Sequence, residues 1–168
     1  MRYNVEKERE VCNMQVVLEN EVLKVTINSF GAELASIWGK VTDIEYLWNA
    51  DAKFWKRSAP VLFPFVGSLK NKEYHYEGKT YSMGQHGFAR DMEFAVDVQT
   101  ATEAWFSLKS NEETRAKYPL DFILKIGYQL EGKELKVIWQ VENPDTKELY
   151  FSIGGHPAFM CPVDKKGK

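Results

Sequence analysis

The 168-residue sequence predicts an all-β fold built as an antiparallel β-sandwich or barrel. Three observations support this prediction. Apolar residues recur at every second position in many short runs, turn residues separate these runs, and helical periodicity is scarce. Strands with one apolar and one polar face are typical of antiparallel sheets that cover a core on one side. No linker, repeat or low-complexity stretch interrupts the pattern, so we expect a single domain over residues 1–168.

The hairpin near the C-terminal end carries the clearest alternation. Apolar residues alternate with polar ones in residues 122–131 and again in residues 135–142, and Glu131-Gly132-Lys133 lies between the two runs as a turn signal. Shorter runs of the same kind predict the remaining strands, at residues 16–18, 23–27, 34–38, 44–47, 73–76, 80–82, 94–98 and 104–110. Residues 111–117 predict one short helix that ends at Tyr118-Pro119, and residues 51–55 predict a single turn capped by Asp51.

The composition excludes several function classes. The net charge is -2, with acidic and basic residues mixed along the chain, so no basic stripe indicates nucleic-acid binding. No apolar stretch is long enough to span a membrane, and residues 1–10 do not have the pattern of a signal peptide. The two cysteines, Cys12 and Cys161, lack metal-ligand spacing and suit a reducing compartment. We therefore expect a cytoplasmic protein without a bound metal.

Residues 56–67 do not follow the strand pattern. Pro60 and Pro64 flank an apolar run, and since proline cannot donate to a strand ladder, this segment should be an edge strand or irregular. The basic pair Lys56-Arg57 precedes the run. From the residues alone, the pair is equally consistent with a ligand site and with a solvated surface.

The other two unusual segments each contain a histidine. His86 lies in the glycine-containing loop 84–91, where Arg90 and Asp91 could form a local ion pair. His156 follows Gly154-Gly155 and precedes Pro157, which restricts it to extended conformations. We expect Ser152-Ile153 to end a strand and the two glycines to allow a tight bend or a close approach. A purely structural role is the alternative for both histidines. The third histidine, His75, lies within an alternating run and is expected to face solvent.

Four segments, taken in order, resemble the aldose 1-epimerase (galactose mutarotase-like) family. They are residues 28–34, 57–64, 85–90 (QHGFAR) and 154–159 (GGHPAF), and the likeness is closest to the branch of LacX-like and hexose-phosphate mutarotase-related proteins. The resemblance implies a β-sandwich of the galactose mutarotase type with a sugar cleft on one sheet. It also implies a reaction without a cofactor, the interconversion of the α and β anomers of a hexose or hexose phosphate.

The resemblance also implies roles for individual residues. His156 corresponds to the general acid that protonates the ring oxygen, a role that suits an imidazole titrating near neutrality. His86 corresponds to a second catalytic histidine that binds and polarises the sugar. The expected substrate-binding residues are Arg57, Arg90, Gln85 and Phe159. Lys56 could replace Arg57, because the alignment there is loose by one residue. Many relatives carry an arginine where this chain has Ser68.

The family's catalytic base is a glutamate in a later part of longer relatives, and no glutamate of this chain occupies that motif. Glu33 and Glu142 fall within strand patterns and are not assigned to the role. We therefore expect a chain that is truncated relative to the family, with a dimer or larger assembly covering the exposed sheet edges. The expected partner is a sugar or sugar phosphate, with no nucleic acid or membrane partner. The alternatives are a carbohydrate-binding module without turnover and a β-domain that only keeps the family's motifs.

Overall fold

The computed structural model describes residues 14–161, which form mostly antiparallel strands with one α-helix. The strands of this part of the chain are Gln15–Glu19 (β1), Leu23–Asn28 (β2), Glu33–Gly39 (β3), Ile44–Glu45 (β4), Val61–Leu62 (β5), Glu73–Tyr76 (β6), Lys79–Ser82 (β7), Ala95–Gln99 (β8), Glu103–Lys109 (β9), Ile123–Glu131 (β10), Glu134–Glu142 (β11) and Gly154–Gly155 (β12). The helix α1 covers Glu112–Lys117. Cys12 lies outside the described residues.

Two four-stranded sheets dominate, with the orders β1-β2-β3-β4 and β11-β10-β9-β8. The predicted hairpin is confirmed, since β10 and β11 pair antiparallel from Leu130↔Leu135 to Leu124↔Val141. The predicted helix is also confirmed: the Asn111 side chain accepts a hydrogen bond from the Thr114 N–H and caps the first turn. Within the described residues, no helix is long and apolar enough to cross a membrane.

The core lies between the apolar faces of the two sheets. Alternate residues of β1 and β2 point inward, and alternate residues of β9 and β10 meet them in one buried cluster. The fully buried members include Val16, Leu18, Val25, Ile27, Phe106, Leu124 and Ile126. The Tyr128 hydroxyl donates to the Ala32 carbonyl at 2.7 Å, which ties the second sheet to the loop that precedes β3. The antiparallel sandwich expected from the sequence is therefore present.

The edge strand β11 differs from β10, although both have the same alternation. Leu124, Ile126 and Tyr128 of β10 are buried, whereas Val137 and Trp139 of β11 are 43% and 42% exposed. Val137 lines an apolar groove of about 630 Å³ together with Tyr46 and Phe159. Part of the apolar face of β11 is therefore uncovered, and the predicted assembly that would cover the exposed sheet edges stays a prediction.

One strand prediction near the C-terminal end was wrong. Ser152 and Ile153 do not belong to a strand, and the two glycines themselves form β12 by pairing with β5. The reason is the geometry around Gly155, where a Cβ atom would lie 2.7 Å from the Trp139 indole. A larger residue at Gly155 would require the Trp139 indole to move, whereas a Cβ atom at Gly154 would lie 3.4 Å or more from its nearest neighbours, Val66 and Leu62.

Candidate functional site

Both histidine segments attach to one stretch of chain, residues 58–67, which we call the central segment. On one side, β12 pairs with β5, and the register continues as the His156 N–H donates to the Pro60 carbonyl at 3.1 Å. On the other side, the Phe88 and Ala89 N–H groups both donate to the Phe63 carbonyl, at 3.0 and 3.1 Å. Segments separated by about 70 residues in the sequence are thereby held against the same short piece of backbone.

Gly87 allows the loop that carries His86 to approach the central segment. Its φ is +73°, a conformation that favours glycine, and a Cβ atom here would lie 2.1 Å from the Phe63 carbonyl oxygen. Any other residue would displace the loop and break the two hydrogen bonds to Phe63. The glycine of the QHGFAR segment therefore has a structural explanation that is independent of catalysis.

Hydrogen bonds hold His86 in one orientation and favour one tautomer of its neutral ring. The backbone N–H of His86 donates to the Gly67 carbonyl at 2.8 Å, and the backbone N–H of Gly67 donates to the His86 ring at Nδ1, at 2.9 Å. Because Nδ1 accepts a hydrogen bond, the neutral ring carries its proton on Nε2, which remains a donor. Burial lowers the pKa of His86, and the positive charges of Arg90 and His156 lower it further. Neutral His86 is therefore a fixed N–H donor close to both of these groups.

The His156 side chain is exposed, and within residues 14–161 no group hydrogen-bonds its ring nitrogens. Its imidazole contacts the Trp55 indole, with the ring centroids 5.3 Å apart and the planes inclined by 60°. His156 also lines a small cavity of about 220 Å³ with Tyr128 and Trp139. Both imidazole nitrogens are thus available for proton transfer.

Arg57 lies in a closed polar cluster. Its Nη1 donates to Glu33 Oε2 at 3.0 Å and to the Arg90 carbonyl at 2.9 Å, and its Nη2 pairs with the Asp91 carboxylate. Glu33 Oε1 accepts from the Ser58 and Ala59 N–H groups at 2.8 and 3.1 Å. Most donors of Arg57 therefore bind protein groups, and its predicted contact with sugar stays a prediction.

Arg90 is less completely paired than Arg57. Its Nη2 donates to the Gln85 carbonyl at 2.9 Å, and its Nε lies 3.6 Å from Asp91 Oδ2. That Nε is buried without a hydrogen-bond partner in the described residues. Because Asp91 also pairs with Arg57, Arg90 keeps part of its charge uncompensated beside His86.

The remaining predicted residues lie at the margins of this arrangement. The Gln85 side chain is exposed next to His86. Phe159 is 59% exposed, pairs with Leu47 through an isolated bridge, and lines the apolar groove beside β11 that neither histidine lines. Lys56 is exposed and lines a surface cavity of about 320 Å³ with Arg57. The structure attaches the segments of His86 and His156 to the same central segment, while the catalytic roles of both histidines and the sugar-binding roles of Arg90, Gln85, Phe159 and Lys56 stay predictions.

The two acids considered at the sequence level both have structural partners. Glu33 is only 6% exposed and binds Arg57, Ser58 and Ala59, as described above. Glu142 pairs with Lys125 at 2.6 Å on the outer side of the β10–β11 hairpin. Within the described part of the chain, no group of three metal-ligating side chains is arranged to hold a metal ion.

Comparison with known proteins identifies the family. Residues 14–167 match the Aldose 1-epimerase family, and the chain belongs to it. It is 38% identical over 156 residues to Protein LacX of Lactococcus lactis subsp. lactis, covering 89% of this chain and 52% of that protein. The solved structure of a galactose mutarotase related enzyme from Lactobacillus acidophilus matches with 45% identity and a TM-score of 0.88, covering 90% of this chain and 51% of that one.

A more distant relative has a name that indicates a substrate. A Salmonella typhimurium protein named as a glucose-6-phosphate 1-epimerase is 26% identical over 153 residues, covering 83% of this chain and 48% of that protein. The chain therefore spans about half the length of the relatives it matches. The matched half includes both histidine segments.

Sequence reasoning missed two features of this site. The contact of Trp55 with His156 joins residues 101 positions apart, and the alternation pattern around Trp55 gave no signal for it. The pairing of Arg57 with Glu33 was also missed, although both residues lie in segments that resemble the family. A buried glutamate inside an otherwise apolar run was the available signal, because such a charge requires a partner.

Proposed function

We propose that this chain carries the histidine side of an aldose 1-epimerase site that interconverts the anomers of a hexose or hexose phosphate. Ring opening requires a proton on the ring oxygen and removal of a proton from the anomeric hydroxyl. In this proposal His156 supplies the first proton, and His86 donates a hydrogen bond from Nε2 to a sugar oxygen nearby. The aldehyde then rotates about its C1–C2 bond and closes on the other face.

The observation that carries the proposal is the different hydrogen bonding of two imidazoles whose segments both bond to the central segment. Nδ1 of His86 is occupied by the Gly67 N–H, which suits a group that binds and does not exchange its proton. His156 has no ring partner within residues 14–161, which suits a group that gains and loses a proton in each turnover. Membership of the Aldose 1-epimerase family supports the same division of roles.

In this proposal Arg90 is the group that binds a hydroxyl or a phosphate oxygen of the sugar. Its buried Nε has no hydrogen-bond partner in the described residues, and its guanidinium lies close enough to His86 to lower that pKa. A guanidinium can bind either a hydroxyl or a phosphate oxygen. The carboxylate base of the family is not provided by Glu33 or Glu142, since both are already paired, so in this proposal it comes from the half of the family fold that the chain does not span.

The test compares anomer exchange in the wild-type chain and in His156→Ala. NMR exchange spectroscopy with glucose, galactose and glucose 6-phosphate measures the rate directly. Because the carboxylate base lies outside this chain, water must accept the anomeric proton, and we expect wild-type exchange only modestly above the buffer rate. His156→Ala should remove that excess, since a general acid typically contributes about 10²–10⁴-fold. His75→Ala is the control, because His75 is exposed on β6 and its ring bonds to the Thr80 hydroxyl on the adjacent strand.

The other outcomes separate the alternatives. A wild-type chain that binds sugar but exchanges anomers no faster than buffer would be a carbohydrate-binding module without turnover. A chain that binds none of the three sugars at millimolar concentration would retain only the family's fold and motifs. Equal losses in His156→Ala and His75→Ala would remove His156 from the acid role.

A further inference from the structure

The imidazole of His156 needs an orienting contact that the hydrogen bonds do not supply. The backbone of His156 is fixed by its N–H bond to Pro60, and the next residue on the same face, Ala158, donates to the Ser58 carbonyl at 2.8 Å. The side chain can nevertheless rotate about two bonds. Histidines that work as acids are usually held by a partner on one ring nitrogen, and no such partner lies within the described residues.

Trp55 is the aromatic residue that contacts this imidazole, at 5.3 Å between centroids. This separation is in the range where aromatic rings attract each other. The indole covers part of the imidazole without forming a hydrogen bond to it. A contact of this kind can restrict the ring while leaving Nδ1 and Nε2 free, whereas the hydrogen bond from Gly67 restricts His86 by occupying Nδ1.

Trp55 is itself fixed by the chain around it. Its N–H donates to the Asp51 carbonyl at 2.9 Å, and its own carbonyl accepts from the Trp48 indole Nε1 at 2.9 Å. The Trp48 backbone N–H in turn donates to the Ala158 carbonyl at 2.9 Å. The loop that carries Trp55 is therefore bonded to the segment that carries His156, so the backbones from which the two rings extend are held together.

We propose that Trp55 is a positioning residue that holds the His156 imidazole toward the sugar while leaving both of its nitrogens free for proton transfer. This inference rests on the proposed function for its catalytic consequence, but its structural part does not. The contact predicts an ordered imidazole in the protein without sugar.

The experiment measures the order parameter of the His156 imidazole C–H bonds by NMR relaxation. We expect an ordered ring in wild type and in Trp55→Phe, which keeps an aromatic face. In Trp55→Leu, which keeps apolar volume without the ring, we expect the order parameter to fall below about 0.6. Phe54→Leu is the matched control in the same loop, because Phe54 is 70% exposed and packs edge-on against Trp48. Amide spectra of each variant check that the fold is retained.

A kinetic measurement gives the second readout. Wherever anomer exchange is measurable, Trp55→Leu should lower kcat by about 10- to 100-fold with little change in KM, and Trp55→Phe should restore most of the rate. An unchanged order parameter in Trp55→Leu, or a disordered ring in wild type, would overturn the inference. Absence of anomer exchange in wild type would instead overturn the proposed function, and the relaxation data would still decide the role of Trp55.

Discussion

Two polar groups of this protein, each containing a residue expected in a sugar cleft, differ in how many of their polar atoms are hydrogen-bonded within the protein. The first is the acid–base cluster of Glu33, Arg57 and Asp91, in which each charged group binds protein partners at the ends of β3 and the central segment. The second is the histidine pair, His86 and His156, which keeps ring nitrogens available. Both groups come from segments that resemble the family.

The two groups contain similar residue types, and they differ in how many of their polar atoms are already hydrogen-bonded within the protein. A buried charge that is fully paired stabilises a local arrangement, and removing one partner leaves the other without compensation. A polar group without a protein partner can form its bond with a ligand instead. In our proposal the cluster holds the central segment in place and the histidine pair carries the chemistry. Three measurements test this division of roles.

The largest effect is expected for Glu33→Ala. This change leaves the Ser58 and Ala59 N–H groups without an acceptor and removes one of the two carboxylates that neutralise Arg57. Breaking a buried ion pair typically costs about 3–5 kcal/mol, so the free energy of unfolding should fall by about that amount. Urea denaturation followed by fluorescence measures it.

Glu142→Ala is the matched control for this substitution. Glu142 also pairs with a basic residue, Lys125, but both side chains are about one third exposed. Its loss should cost less than about 1 kcal/mol, as is usual for exposed pairs. Equal costs for the two substitutions would mean that Glu33 is no more important to the fold than a surface acid.

A smaller loss is expected for Arg57→Met, which keeps an unbranched apolar stem but removes the charged guanidinium. Glu33 would retain its two backbone donors, so we expect a loss of about 1.5–3 kcal/mol, the range for hydrogen bonds to charged groups. Arg115→Met is the control, since Arg115 pairs with Asp121 at the surface. If Arg57→Met left stability unchanged but abolished sugar binding, Arg57 would belong with the histidine pair and the division would fail.

The fold was largely predictable because alternation reports which face of a strand is buried. The β10–β11 hairpin and helix α1 with its Asn111 cap follow directly from local sequence. The pairing of β12 was not predictable, because the close approach of Gly155 to Trp139 joins two distant parts of the chain. The exposure of β11 was equally hidden, since its alternation is as regular as that of buried β10.

The sequence indicated candidate site residues but not their hydrogen-bonding states. The resemblance indicated His86, His156, Arg57 and Arg90, but sequence could not show that Arg57 binds Glu33 and Asp91 while Arg90 Nε lacks a hydrogen-bond partner in the described residues. These states depend on contacts between residues 24 to 34 positions apart, which a strand pattern does not encode.

The smallest expected effect concerns the pH dependence of His86, and it tests whether Arg90 acts on the histidine pair. The pKa of His86 is lowered in the folded protein, so the unfolded chain binds more protons between the folded value and about 6.5. Stability should therefore rise with pH through that window, and the cost of protonating His86 should be fully present only below the folded pKa.

NMR titration should give a midpoint below 6.5 in the folded chain and near 6.5 in urea. Because burial is the main cause and Arg90 the next, Arg90→Gln should raise the midpoint without restoring it, and His156→Gln should raise it less. A folded midpoint at or above 6.5, or one that does not respond to Arg90→Gln, would separate Arg90 from the histidine pair and place it with the structural cluster.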